Sequence, residues 1–457
     1  MKYPRYPAYK DSGVEWIGEI PEHWSVKRLK FASKIQFSNV DKHSFDSEMP
    51  VLLANYTDVY KNKFITTEME FMEATANLNE IKKFHLEVGD ILVTKDSETP
   101  DDIAIPALVI STLPNLLCGY HLAMLRPNSH FLDSNYLFNL YSDKKFRGKY
   151  ESEANGITRF GLSQESFSDT FICMPDISEQ RTISLFLEEQ TSKIDCLISK
   201  IQIMIKLLKE KRQAIITHAV TKGLDPNVPM KDSGVEWIGE IPKHWGLSTI
   251  DKGYEVTLGK MLQNLAADSH DEYLPYLRAS NIQKSGIDFQ DVKYMYFSPL
   301  EKKSLRLAMY DLLVVEGGDA GRSVMLDFEP ESFIGFQNSL NRIRSKNSNN
   351  IFFLLYWLSF LKESGYIDAI CNKATFMHLT LEKLRSTLSL YPPIQEQIDI
   401  AKYVLTNIKQ IGFLILSQQK LIELLHEYKT SLITQAVTGK IDVRGFAVPT
   451  NSSSTET

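Results

Sequence analysis

Residues 10–24 read KDSGVEWIGEIPEHW and residues 231–245 read KDSGVEWIGEIPKHW, so fourteen of fifteen positions agree and Glu22 against Lys243 is the one difference. A match of that length does not arise by chance. Whatever the chain builds in its first half it must build again in its second. The repeated stretch holds two Trp, two Ile, one Val, a Gly-Glu-Ile-Pro turn and a His-Trp pair. That composition suits a compact segment that docks on an apolar surface. Its one titratable ring is His23, His244 in the copy, with no Cys or second His nearby to complete a metal site. A structural role is therefore expected for the box, not a catalytic one.

The chain has 457 residues, room for two to four domains, with 43% apolar and 24% charged residues, as in ordinary globular proteins. Cys118, Cys173, Cys196 and Cys371 are scattered and form no CxxC pair. This argues against a zinc ribbon and a disulfide framework, and fits a reducing cytoplasm. The first ten residues, MKYPRYPAYK, carry no apolar signal core, and the run 351–361 is too short to span a bilayer. A net charge of −6 weighs against a free-standing nucleic-acid binder. It leaves room for one whose partners neutralise part of the phosphate charge.

Taken in order, residues 1–24 are a Pro- and Tyr-rich arm ending in the box. Residues 25–174 mix short strand-like runs (50–54, 90–94, 103–110) with short helical pieces such as 134–141. Residues 175–222 form one long helix, with Asp176, Ser178 and Glu179 at its start and Gly223 and Pro226 beyond its end. A linker with the second box (223–245) leads to a second mixed domain (246–391), a second long helix (392–440) and a Ser/Thr-rich tail (441–457), expected to be disordered from 448. The mixed domains share landmarks: 90–93 with 311–314, 119–121 with 335–337, and 158–162 with 375–379. Between the landmarks they differ widely.

Both ends of the helices repeat at an offset of 217 residues: Pro175, Ile177, Glu179 and Gln180 against Pro392, Ile394, Glu396 and Gln397, and 219–221 against 436–438. Neither helix has gained or lost a residue overall. The first carries Leu187, Ile194, Leu197, Ile201, Met204, Leu208 and Ile215 at heptad spacing. The second carries Val404, Ile411, Leu414, Leu421, Leu425, Tyr428 and Leu432. Gln190 and Asn407 interrupt the two seams at matching places, where a polar residue can set register. The expected class is α/β (mixed α+β), with two domains separated by two long helices pairing as an antiparallel coiled coil. The arrangement would be pseudo-two-fold and circular.

The box GVEWIGEIPxHW, the PxIxEQ helix start and the AVT helix end resemble the specificity subunit of type I restriction–modification enzymes, across essentially the whole chain. The boxes and helix ends carry the likeness, and the mixed domains match only in outline. The resemblance implies two target recognition domains, each reading half of a bipartite sequence in double-stranded DNA. It implies helices that fix the spacing of the halves and dock two methyltransferase subunits. Restriction subunits would complete the complex, a site-specific DNA adenine methyltransferase and ATP-dependent endonuclease. S-adenosylmethionine, ATP and Mg are then expected on the partners, with no cofactor or metal in this chain.

The residues agree with a non-catalytic subunit. The Pro-Pro pair sits in Tyr391-Pro392-Pro393-Ile394, which lacks the Asp/Asn-Pro-Pro-aromatic pattern of an adenine methyltransferase and marks a helix start. Residues 317–323 (GGDAGRS) do not fit GxxxxGK[ST] or GxGxxG, and no HExxH occurs. That stretch is expected to be either a tight turn or a contact to the DNA backbone through Gly318 and Arg322. Base reading needs Arg, Lys, Asn, Gln and Ser on loops. In the second domain the candidates are Arg278, Ser280, Asn281, Arg322, Gln337, Asn338 and Asn341. In the first they are Asn55, Tyr56, Thr57, Lys95, Ser97 and His121, with Lys144, Lys145, Arg147 and Lys149 for phosphates. A competing expectation is a coiled-coil scaffold that binds proteins without sequence-specific DNA contact.

Overall fold

The computed structural model describes residues 3–15, 17–283, 286–371 and 378–446. The matching run 375–379 therefore falls partly outside the described residues, and the tail 448–457 wholly outside. The chain divides into two compact units. One is drawn from the residues up to Ile201 and from Lys420 onward, the other from Gln202–Gln419.

The first unit holds a five-stranded sheet in the order Ser33–Phe37, Leu122–Pro127, Ile91–Thr94, Pro106–Val109, Phe64–Ile65. A second sheet has Met49–Ala54 between Leu116–Cys118, parallel, and Met72–Ala76, antiparallel. Ile91–Thr94 is buried along its whole length. Strand side chains alternate faces, so Ile91 and Val93 enter the core that contains the long helices. Leu92 enters a separate core beneath the second sheet. The run expected to be one strand at 103–110 is shorter, Pro106–Val109, because Ala104 takes a positive φ of 60° just before it.

The second unit repeats this plan with fewer strands. Tyr254–Leu258, Leu340–Ser345, Leu312–Val315 and Ser323–Met325 make a four-stranded sheet, and Lys293–Phe297, Glu272–Leu277 and Gly335–Phe336 a three-stranded one. Leu312 and Val314 face the core with the helices, and Leu313 and Val315 face the other core.

Each box is a short hairpin: Tyr9–Asp11 against Glu19–Pro21, and Met230–Asp232 against Glu240–Pro242, in the same register. Ile17, Ile20 and Trp24 are buried with Ile183, Leu187, Ala436 and Val437 in the first unit. Ile238, Ile241 and Trp245 are buried with Ile216, Ala219, Val220, Ile400 and Val404 in the second. The position that differs between the boxes, Glu22 against Lys243, is exposed in both. Each box also grips a helix start: His23 Nε2 lies 2.8 Å from Glu179 Oε2, and His244 Nε2 2.8 Å from Glu396 Oε2. The other oxygen differs. Tyr6 donates to Glu179 Oε1 at 2.7 Å, whereas Trp245 Nε1 donates to Glu396 Oε1 at 3.0 Å. Each box also abuts a helix end, where Gly439 (φ 68°) sits against Pro21 and Trp24, leaving no room for a side chain.

The long helices run Ile177–Lys222 and Ile394–Val437. The first is capped by Asp176, whose Oδ1 accepts from the Glu179 amide at 2.8 Å. Within the first unit its opening half packs on the closing half of the second helix, where Lys429 Nζ meets Asp195 at 2.5 and 2.6 Å. Within the second unit Ile216, Ala219 and Val220 pack with Ile400, Ala401 and Val404. Both pairings are antiparallel. The buried stripe departs from the expected seam. Ile194, Ile198, Ile201 and Ile205 are buried, as are Val404, Ile411, Ile415 and Leu432, while Leu197, Met204, Leu414, Leu421 and Tyr428 are exposed. The cause is a doubled apolar position at 197/198, 204/205 and 414/415. A straight helix drifts from a strict 3.5 repeat and selects the later residue. Gln190 Oε1 accepts from the Tyr3 hydroxyl at 3.4 Å, and Asn407 Nδ2 donates to its own helix at Tyr403 O, 2.9 Å away.

Candidate nucleic-acid interface

In each unit the candidate readers gather where the loops leave three strands, one from the main sheet and two from the smaller one. In the first unit these strands are Ile91–Thr94, Met49–Ala54 and Leu116–Cys118. Their ends are joined because Gly119 N donates to Ala54 O at 2.9 Å and Lys95 N to His121 O at 3.1 Å. Asn55 caps the short helix Tyr56–Lys61, and its amide donates to Asp58 Oδ2 at 2.7 Å. Thr57 is exposed on that helix, and the Tyr56 hydroxyl lies 3.5 Å from Ser97 Oγ, which is buried. Lys95 Nζ donates to Ser38 O at 2.9 Å and lies 4.8 Å over the ring of exposed Tyr120. Burial lowers the pKa of this ammonium, and Asp96 only partly offsets it. Asp96 in turn accepts from Arg159 Nη2 at 2.7 Å and lies 2.9 Å from His121 Nδ1.

The phosphate-holding group is more divided than expected. Lys144 and Lys145 are exposed on the helix Lys144–Glu153. Arg147 is half-buried, its Nε has no partner, and burial lowers its pKa. Lys149 is tied to Ser166 O, Thr170 Oγ1 and Glu153. The first two can face a phosphate, while Lys149 braces the helix against 166–170.

In the second unit the corresponding strands are Leu312–Val315, Glu272–Leu277 and Gly335–Phe336. Gln337 N donates to Leu277 O at 2.8 Å, Ala279 N to Ser339 Oγ at 3.1 Å and Glu316 N to Ser339 O at 3.0 Å. This draws Arg278, Ser280, Gln337, Asn338 and Ser339 onto one rim. Arg278 is paired with Asp291 at 2.5 Å, Ser280 is exposed, and Gln337 and Asn338 are half-buried. Burial pushes the Glu316 carboxyl pKa up.

Two candidates brace the loop from below and a third is buried in a strand. Asn281 is buried: its Oδ1 accepts from Arg278 N and its Nδ2 donates to Asp288 O and Asp291 O. Asn341 is fully buried inside the strand Leu340–Ser345 and cannot reach a duplex. Arg322 is 23% exposed. Its Nη1 donates to Asp319 Oδ2 at 2.9 Å and its Nη2 to Ala279 O at 3.1 Å, stapling the glycine turn to the turn at 278–281. Burial pushes the Asp319 carboxyl up, but Lys362 and Arg322 together hold it below the usual range. Gly318 is exposed at the turn's tip with φ 77°, so the stretch 317–323 is a tight turn whose Arg supports it.

Sequence reasoning missed Arg159, Tyr120 and Asp96 in the first cluster and Ser339 in the second. Arg159, with 52% of its side chain exposed, is the most accessible cation beside His121. A signal existed for Arg159, which lies inside the landmark 158–162 that the fold brings to the strand ends. The landmark pairing of 119–121 with 335–337 is two residues out of step: Gly119 N to Ala54 O and Lys95 N to His121 O match Gln337 N to Leu277 O and Glu316 N to Ser339 O, so 119–121 correspond to 337–339 and Tyr120 to Asn338. Arg159's counterpart, Phe376, lies outside the described residues.

Among the described residues no helix is long and apolar enough to cross a membrane. Two stretches, residues 22–207 and 242–425, match the family described as the type I restriction modification DNA specificity domain. The MjaX specificity subunit of Methanocaldococcus jannaschii is 25% identical over 436 residues, 94% of this chain and 96% of that one. The type I restriction enzyme EcoKI specificity subunit of Escherichia coli K12 is 20% identical over 85% of this chain and 82% of its own length. Among solved structures, a chain of a type I R-M system studied for complex assembly and conformational transition aligns with TM-score 0.69 at 15% identity, covering 92% of this chain and 99% of that one. The HsdS subunit from Thermoanaerobacter tengcongensis aligns with TM-score 0.56 at 15% identity, covering 92% and 98%. The two fold matches carry the architecture, and the paired family matches, one per repeat, carry the identity: the chain belongs to the type I restriction–modification DNA specificity family.

Proposed function

We propose that this chain reads a bipartite DNA sequence for a type I restriction–modification complex, one half-site per unit, and performs no chemistry itself. The observation that carries this reading is the pair of loop clusters at equivalent strand ends. The scaffold is the same, with Gly119 bonded to Ala54 and Gln337 to Leu277. The side chains presented differ: Thr57, Tyr120, His121 and Arg159 in one, Arg278, Ser280, Gln337 and Asn338 in the other. A repeated frame with unlike polar tips is what two different half-sites require. Lys144 and Lys145 would hold phosphates beside the first half-site.

The helices point to the partners. Ile203, Met204, Leu207, Phe413, Leu416 and Leu424 are exposed apolar side chains on the two long helices. Two methyltransferase subunits would cover such faces, and restriction subunits would join them. S-adenosylmethionine, ATP and Mg would reside on those partners, giving adenine methylation and ATP-dependent cleavage to the assembly.

The domains are proposed as 25–174 and 246–391, held between the boxes and the helices. Exchange of residues 25–170 for those of a relative, followed by methylome sequencing with the methyltransferase partner, tests the reading. One half of the methylated motif should change and the other persist. A change in both halves, or methylation without sequence preference, overturns it in favour of a protein-binding scaffold.

A further inference from the structure

The strand Tyr254–Leu258 ends at Gly259, and the next residues run along the rim of the second cluster. Gly259 N donates to Leu340 O at 3.0 Å, Lys260 N to Phe336 O at 3.0 Å, and Asn338 N to Lys260 O at 2.9 Å. Gly259 lies so close to the Gln337 carbonyl that no side chain fits there. Lys260 turns inward to pair with Glu301. Residue 261 therefore leaves the fold directly beside Gln337 and Asn338.

The run from Met261 to Ala267 carries no charge. The loop is pinned: Tyr296 N donates to Gln263 O at 3.1 Å, and Asp271 Oδ2 accepts from Ala267 N at 2.8 Å. Yet Met261 is 74% exposed, Leu262 50% and Leu265 81%. Contiguous apolar side chains held in solvent on an ordered loop mark a contact surface.

The first unit supplies the control. There the strand Ser33–Phe37 ends in the same register, with Ser38 N donating to Leu122 O at 3.2 Å as Gly259 does to Leu340. The residue matching Met261 is Val40, which is 2% exposed, and the residue matching Leu262 is Asp41. At this position the loop turns its residue inward in the first unit and outward in the second, while Phe45, further along the first unit's loop, is 59% exposed.

We propose that Met261 and Leu262 are an apolar wedge that presses between base pairs of the second half-site, beside the polar readers Gln337 and Asn338. Apolar side chains inserted at a base step unstack it, and the ease of unstacking depends on sequence. The pair thus selects a deformable step that no hydrogen bond reads. The inference rests on the DNA-reading function proposed above.

The test uses the full chain in complex with its methyltransferase subunits, on DNA carrying the motif found by methylome sequencing. 2-Aminopurine is placed at each purine of the second half-site other than the methylated base. Binding should raise fluorescence at one step. The variant M261Q/L262Q, melting as the wild type does and assembling with the same subunits, should lose that signal. It should also bind about ten-fold more weakly, with protection of the first half-site intact. No responding position, unchanged affinity of the variant, or failure of the variant to recruit the methyltransferase subunits overturns the wedge, the last showing a protein contact instead. Loss of protection at both half-sites by the wild-type complex would refute the DNA-reading function itself, a distinct result.

Discussion

At the residue scale, the landmark Asp of each half shows what a repeated residue is kept for. Asp90 and Asp311 are buried, and each does the same two jobs. Asp90 Oδ2 accepts from Glu87 N at 2.8 Å and Asp311 Oδ2 from Ala308 N at 2.8 Å, closing the turn before the central strand. Arg126 holds Asp90 through Nε and Nη2, each at 2.7 Å, and Arg344 holds Asp311 in the same bidentate way. Substitution of Asp311 by Ala leaves the Ala308 amide without its acceptor and the partly buried Arg344 guanidinium without its carboxylate, holding only the Arg306 carbonyl at 3.0 Å. It should destabilise the chain by about 3 kcal/mol, read as a lower denaturant midpoint, with the methylated motif unchanged in whatever protein remains folded. A motif altered at its second half would instead make Asp311 part of the reading surface. The landmark was visible in the sequence, but its meaning was not, because the Arg partner lies 33 or more residues away. A distant partner also misled the reading of Arg322, whose Nη2 bonds Ala279 O 43 residues away. Asn281 is consumed within its own turn, by Arg278 N, Asp288 O and Asp291 O, and Asn341 is buried in its strand.

At the element scale, the boxes as docking segments, the central strands and both long helices were legible, since each is written in a local period or an internal repeat, whereas the hairpin form of the boxes was not. The facing of the helices was legible only to within one residue. Where two apolar residues stand side by side, spacing alone cannot decide which turns inward. The pair Leu197 and Ile198 makes this testable: Ile198 is buried and Leu197 is exposed. Ile198→Ala should cost about 3 kcal/mol. Leu197→Ser should change stability by no more than about 0.5 kcal/mol and weaken co-purification with the methyltransferase subunit, for which the exposed apolar face is proposed. Chemical denaturation and size-exclusion chromatography of the two variants separate the roles. Equal destabilisation would return Leu197 to the seam, and unimpaired assembly of Leu197→Ser would remove it from the docking face.

At the scale of the whole molecule, the two helices are the elements that both units share. The first passes from one unit to the other after Ile201, and the second passes back after Gln419. Their ends keep a single offset of 217 residues, so any change of length would have to be matched. The chain passes between the units within these two helices, and on the proposed reading helix length sets the distance between half-sites. Four residues add about 6 Å of helix, and B-DNA advances about 3.4 Å per base pair. Insertion of four residues after Ser199 should therefore lengthen the non-specific gap of the methylated motif by one or two base pairs while both half-sites stay the same. The insertion adds a stutter that locally unwinds the pairing, and the bond between Asp195 and Lys429 lies just before it, so a lower melting temperature is expected alongside. Methylome sequencing reads the gap directly. An active variant with the original gap would show that the partner subunits, and not these helices, fix the spacing.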